Sequence, residues 1–182
     1  MERERMSHYR TEQEAFWAGE FGDDYIERNS GDEAVANNSV IWKEILDQVP
    51  DVGSLIEFGC NIGLNLQSIS RLNPRLELVG YEINKKAADI CKGHNIARVE
   101  NASCLEPMNE NAGGFDLTFT KGVLIHIHPE WLDTIYEQLY TLSKKYIMIC
   151  EYYNPTPVVV NYRGNSERLF KRDFAGEIMD RF

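Results

Sequence analysis

From residue 54 onward, short apolar runs of strand length alternate with segments whose apolar residues recur at helical spacing. Ser54–Phe58 reads as a strand and Leu64–Leu72 as the helix after it. Leu76–Ile83 is a second strand, Lys85–His94 a helix, and Arg98–Ala102 a weaker third strand. A Gly113-Gly114 turn leads into a fourth, Phe115–Thr120. Pro129–Ser143 carries Leu132, Ile135, Tyr136, Leu139 and Leu142 on one helical face. Tyr146–Tyr152 is an almost unbroken apolar run, the pattern of a strand covered on both sides. Upstream, Thr11 followed by Glu14 reads as a capping box opening a short helix. Asn38–Val49 sets Val40, Ile41, Ile45 and Val49 at helical spacing, and Pro50 ends it.

Strands alternating with helices predict an α/β fold: a Rossmann-like, mainly parallel sheet with helices on both faces and right-handed crossovers. Residues 1–50 read as a helical cap or lid and residues 51–182 as the core, one domain overall. In such sheets ligands lie beyond the carboxyl ends of the strands, near the point where strand order reverses.

Composition narrows the partners. A net charge of −10 weighs against nucleic acid, whose phosphates call for a basic surface, and fits a small substrate, a sugar or a protein partner better. No apolar run reaches membrane-spanning length, and the charged Met1–Arg10 stretch is unlike a signal peptide. Cys60, Cys91, Cys104 and Cys150 are scattered, three of them in or beside strand-like runs, which predicts buried thiols in a reducing, cytoplasmic compartment. No Cys or His cluster supports a metal site, His126-x-His128 standing alone. Monomer and homodimer both stay open.

The chemistry concentrates at Leu55-Ile-Glu57-Phe-Gly59-Cys-Asn-Ile-Gly63, running from strand into helix. Glycine suits a backbone at positive φ or one that a ligand approaches closely. About twenty residues on, Glu82 ends the next strand, where a carboxylate can accept both ribose hydroxyls. The G-x-x-x-G spacing differs from the G-x-G-x-x-G of NAD enzymes, and Glu57 ahead of it would repel a pyrophosphate yet tolerate an ammonium. The pattern therefore suits a nucleoside cofactor with an amino-acid tail. The plainer alternative is that the glycines serve helix–sheet packing alone.

At these residues the chain resembles the class I S-adenosylmethionine-dependent methyltransferases. Glu57–Gly63 is similar to their first motif, with Asn61 as a departure, and Glu82 to the acidic residue that holds the cofactor ribose. The resemblance implies cofactor contacts from Glu57, Gly59, Cys60, Asn61, Gly63, Glu82, Ile83, Ser103, Cys104, Thr120 and Lys121. Ala102-Ser103-Cys104 falls where the family contacts adenine, often with Asp in place of Ser103. S-adenosylmethionine is the implied cofactor and S-adenosylhomocysteine its product.

Longer strings carry a closer resemblance to the pseudaminic-acid-biosynthesis-associated methyltransferases. They are Thr11-Glu-Gln-Glu-Ala-Phe-Trp-Ala-Gly-Glu-Phe-Gly22, Thr120-Lys-Gly-Val-Leu-Ile-His-Ile127, Glu151-Tyr-Tyr-Asn-Pro-Thr-Pro-Val158, Asn161-Tyr-Arg-Gly164 and Leu169-Phe-Lys-Arg-Asp-Phe-Ala-Gly176. That likeness implies a small carbohydrate-derived, acidic acceptor. Class I sheets carry seven strands, so with five recognised here the last two are expected to be missing.

Methyl transfer is chiefly a matter of alignment, and a base helps only where the acceptor is a hydroxyl. His126 is the candidate base, with Glu151 and Tyr153 as further catalytic candidates. Tyr152 and Asn154, at the fifth strand's end, and Trp17 and Tyr25 of the cap are candidates for lining the acceptor site. Arg163 is the candidate carboxylate binder, a surface ion pair being the alternative reading. Two rival functions stay open: an accessory module that binds the cofactor without transfer, and an NAD- or nucleotide-sugar-binding enzyme.

Overall fold

The computed structural model describes residues 9–108 and 110–182. The charged segment Met1–His8, part of the stretch judged unlike a leader, lies outside the described residues.

Five parallel strands form one sheet, β1 (Ser54–Phe58), β2 (Glu77–Tyr81), β3 (Arg98–Glu100), β4 (Phe115–Lys121) and β5 (Ser143–Cys150), in the order β3-β2-β1-β4-β5. Strand order reverses between β1 and β4, which opens a crevice at their carboxyl ends. The α/β, Rossmann-like expectation holds.

The alternating side chains of β1 explain both layers. Ile56 and Phe58 join Val79, Tyr81, Ile135, Leu139 and Phe174 on one face of the sheet. Leu55 joins Trp42, Leu66, Ile69, Leu78, Cys91, Leu117 and Phe119 on the other. The first face is covered by α6 (Leu132–Leu142) and α7 (Phe174–Arg181), the second by α3 (Asp32–Gln48), α4 (Leu64–Leu72) and α5 (Lys85–Gly93). Within the 1–50 segment, α3 thus belongs to the core, its Trp42 ring meeting Phe119 at 4.7 Å. Only α1 (Glu12–Ala18) and α2 (Glu20–Arg28) stand over the crevice.

Several elements differ from expectation. The sequence pattern misses α2, and α3 begins six residues earlier than predicted, behind Gly31 at φ 109°. The Pro129–Ser143 segment divides into a 3₁₀ turn, Pro129–Trp131, and α6. The fifth strand starts directly at the end of α6 and stops at Cys150, so Glu151–Tyr152 belong to a loop. It is an edge strand, half-exposed along its length rather than covered on both sides, and Cys150 is exposed rather than buried. An apolar run cannot by itself distinguish a central strand from an edge.

The largest surprise is a hairpin, β6 (Val158–Tyr162) and β7 (Asn165–Lys171), paired antiparallel as a separate two-stranded sheet before α7. Its tip places Arg163 and Gly164 at positive φ, 49° and 85°. The expectation of a sheet without two terminal strands stands for the main sheet, while the hairpin packs against the turn after β4 and against α1. Among the described residues, no helix is long and apolar enough to cross a membrane.

Candidate functional site

A cleft with about 870 Å³ of empty space, open mouth included, lies over the carboxyl ends of β1, β2 and β4. Its floor is the loop after β1. Gly59 (φ 73°) turns the chain out of the strand, and a Cβ there would stand 2.6 Å from the Val123 side chain. Gly63 (φ 79°) opens α4 with its would-be Cβ against the Cys91 sulfur. Asn61 departs from glycine yet also takes a left-handed conformation, φ 48°, which Asn tolerates better than most residues. Its Oδ1 accepts from the Ile62 N–H at 2.7 Å, fixing the turn locally.

Two buried carboxylates flank this loop. Glu82, after β2, accepts from the backbone N–H of Asn61 and of Asn84, each at 2.7 Å. Burial raises its pKa while those N–H groups oppose the rise. Glu57, on β1, is 1% exposed; its Oε1 accepts from Asn65 Nδ2 at 2.5 Å and its Oε2 has no partner. Asn65 is held in turn by the Trp42 indole N–H at 3.2 Å. Burial, helped by the charge of Glu82, pushes the Glu57 carboxyl up to about 8 against the opposing Asn65 hydrogen bond and Lys121 charge. Glu57 is therefore mostly protonated at pH 7.

The loop after β4 makes the opposite wall. Glu151 is committed to it: Oε1 accepts from the N–H of Val123 and Leu124 at 2.9 and 3.1 Å, and Oε2 from that of Ile125 at 3.4 Å. It thus clamps the 3₁₀ turn Leu124–His126 rather than facing the cleft. That turn presents His126, 8% exposed, with Nδ1 2.6 Å from the Arg168 carbonyl of β7. A carbonyl only accepts, so Nδ1 carries the proton and Nε2 holds the lone pair. Burial lowers the imidazole to about 4, which keeps it neutral at pH 7.

Aromatic rings from three regions gather here. Trp17 lies 4.5 Å from His126 and 5.2 Å from Tyr25, and Tyr162 of β6 lies 5.1 Å from His126. Burial raises the Tyr25 phenol, reinforced by Tyr162 and Tyr152 and opposed by Arg163 and Arg28. The Trp17 indole N–H is buried without a partner. The cap is tied to the hairpin by Arg168–Glu12 at 3.0 Å and by Gln13 Nε2 donating to the Glu167 carbonyl at 2.9 Å.

Of the residues singled out from sequence, Gly59, Asn61, Glu82, Ile83, Ser103, Cys104, Lys121, His126, Trp17 and Tyr25 line the cleft. Glu57, Gly63 and Thr120 lie immediately behind the lining, and Cys60 is turned inward against Cys91. The post-β5 candidates stay off the cleft lining, although Tyr152 and Arg163 stand near enough to Tyr25 to act on its phenol. Tyr152 and Tyr153 are 59% and 65% exposed, and Asn154 bonds back to the Thr156 carbonyl at 2.5 Å. Arg163 sits exposed at the hairpin tip, off the cleft lining. These four follow β5, the edge strand, one place removed from the strand-order reversal between β1 and β4. Sequence reasoning missed Glu14, Asn84, Val123 and Tyr162. Only Glu14 carried a signal, its capping box, and that pointed to helix entry. No group of three or more His, Cys, Asp or Glu side chains is placed to hold a metal among the described residues.

No protein-family model matches the chain, and no curated protein matches it. Solved structures do. An O-methyltransferase from a trans-AT polyketide synthase of Brevibacillus brevis, in complex with S-adenosyl-L-homocysteine, is 18% identical with a TM-score of 0.56, over 76% of this chain and 46% of that one. An S-adenosylmethionine-dependent methyltransferase of Archaeoglobus fulgidus is 19% identical, TM-score 0.52, over 65% and 55%. A protein of Methanococcus maripaludis assigned to the same group is 12% identical, TM-score 0.57, over 82% and 69%. The chain spans about half the length of the first two of these structures and about two thirds of the third. At these identities the likeness establishes the fold alone, the Rossmann-like, mainly parallel sheet that these structures share.

Proposed function

We propose that this chain is an S-adenosylmethionine-dependent methyltransferase acting on a small hydroxylated acceptor. The observation that carries the reading is the pair of buried carboxylates, Glu57 and Glu82, on either side of a left-handed loop at the strand-order reversal. The residues present fit this cofactor. Glu57 Oε2, buried and unpartnered beside the loop, suits the ammonium of an amino-acid tail. Glu82 retains lone pairs for a ribose diol, and apolar Ala102, Cys104 and Leu105 continue the cleft beyond it. A dinucleotide fits less well, since Asn61 stands where a dinucleotide loop has the glycine that lets its backbone approach the pyrophosphate.

The bound cofactor supplies an electrophilic methyl group. The chain's own residues do the rest. Glu151 fixes the Val123–Ile125 backbone and so the position of His126. His126 Nε2, left with the lone pair, would accept the hydrogen bond of an acceptor hydroxyl and then its proton, with the Arg168 carbonyl holding the ring in that tautomer. Trp17, Tyr25 and Tyr162 exclude water and offer flat, amphipathic surfaces of the kind that hold sugar rings.

The finer assignment, an acidic nonulosonic-type sugar, is supported by the long resembling strings. Arg163 retains a role only where a bulky acceptor reaches the hairpin tip. Calorimetric titration with S-adenosylhomocysteine, with NAD as control, tests the cofactor reading. Selective micromolar binding is expected; a folded chain that binds neither, or prefers NAD, overturns it.

A further inference from the structure

The far end of the cleft contains a charged side chain that the cofactor reading does not use. Glu14 of α1 is 6% exposed and lines the cleft together with Ala102, Ser103, Cys104 and Leu105, the segment after β3. Its carboxylate is held on several sides. Oε2 accepts from the backbone N–H of Arg10 and of Thr11, at 2.6 and 3.1 Å, and Oε1 accepts from the Ser103 hydroxyl. Ser103 Oγ accepts in turn from the Leu105 N–H at 3.0 Å, which fixes the direction of its proton toward Glu14. A carboxylate has about four lone-pair sites, and one of the two on Oε1 remains open.

The position of the nucleobase follows from the position of the ribose. If Glu82 holds the ribose and the loop after β1 holds the amino-acid tail, the base lies on the other side of Glu82, against the segment after β3. There the walls are mostly apolar, the Cys104 thiol being held protonated, its pKa pushed up to about 12 by burial. Ser103 cannot donate to the base, because its proton is engaged by Glu14.

We infer that Glu14, carried on the N-terminal helix, reads the exocyclic amine of the cofactor's adenine through Oε1. The inference rests on the proposed cofactor and goes beyond it by making a cap residue part of nucleobase selection. The N–H of the amine meets an oriented, charge-bearing acceptor, and a base without that donor leaves a buried carboxylate lone pair unsatisfied. The capping box thereby has a second use: the same carboxylate that starts α1 also anchors it to the base. Nucleobase binding and cap docking become one event.

The test compares S-adenosylhomocysteine with its 6-deamino purine analogue by calorimetry, on the unaltered chain and on Glu14→Gln and Ser103→Ala. Gln at this position can still close the capping box, so α1 is retained. The unaltered chain is expected to prefer the adenine compound by about tenfold to a hundredfold, as for a hydrogen bond to a charged partner. Glu14→Gln is expected to reduce that preference at least fivefold, while Ser103→Ala keeps most of it. Equal affinity for the two compounds in the unaltered chain overturns the inference without recourse to any variant. So does a preference lost in Ser103→Ala but kept in Glu14→Gln. Failure to bind S-adenosylhomocysteine at all is a different result, and it strikes the cofactor reading beneath.

Discussion

The two halves of the cleft are built on opposite plans. The part proposed to hold the cofactor's tail and ribose is local: Glu57, Gly59, Asn61, Gly63 and Glu82 lie within one strand–loop–helix–strand unit, and their geometry is set mainly by hydrogen bonds from backbone N–H groups. The acceptor half is assembled from distant parts. His126 leans on the carbonyl of Arg168, and Trp17 and Tyr162 close on it from opposite ends of the chain. A site held by backbone geometry tolerates drift around it, because its directions are fixed by the fold. A site held by side-chain packing between separate elements can be remodelled one element at a time. That is a physical reason for one cofactor scaffold to serve many acceptors.

The comparison can be broken or sharpened in order of expected effect. His126→Asn keeps a donor for the Arg168 carbonyl and removes Nε2; turnover is expected to fall about 10²–10⁴-fold with cofactor affinity nearly unchanged. A parallel loss of affinity would mean that the two halves are not separable. Glu82→Ala is expected to weaken S-adenosylhomocysteine by about a hundredfold, measured calorimetrically, since it removes a charged ribose acceptor and frees the Asn61 and Asn84 N–H groups.

Glu57 gives a smaller, pH-dependent effect. Its carboxyl is raised by burial and must ionise to face an ammonium, so cofactor affinity should climb as pH rises from 6 to about 8 and then level off. Glu57→Gln should flatten that slope. The stability contribution has the opposite sign: it is fully present below the ordinary carboxyl pKa and is lost as pH rises through about 8. His126, lowered to about 4, adds stability above its ordinary pKa that is lost as pH falls through about 4, visible as an acid limb in thermal unfolding. The smallest effect belongs to the tie between cap and hairpin. Glu12→Ala removes the ion pair with Arg168 and should cost under about 1 kcal/mol, read from denaturant melts.

The same division governed what the sequence could reveal. The Rossmann-like core was legible because strand-length apolar runs and amphipathic helices repeat in order, and Glu57, Gly59 and Glu82 fall at spacings that a tight turn imposes. Trp17 and His126 were legible as candidates, but their 4.5 Å approach depends on the hairpin and on Glu151, neither of which local patterning specifies. Val158–Tyr162 and Asn165–Lys171 escaped notice because half-exposed strands interrupted by Arg163-Gly164 give only weak alternation. Tyr152, Tyr153 and Asn154 were placed by analogy with strand ends that face a crevice, and here that strand ends at the border of the sheet.

That border strand has a consequence for handling the protein. β5 has no strand on its outer side among the described residues, so a row of backbone N–H and C=O groups lies ready to pair with another chain. Lys144 and Lys145 stand at its start and pair with Asp116 and Asp51, a charged guard of the kind that discourages edge-to-edge stacking. The stretch Ile147–Cys150 beyond them has no such guard and ends in an exposed thiol. Refolding at high concentration is where this edge would be felt first, as turbidity rather than as lost activity.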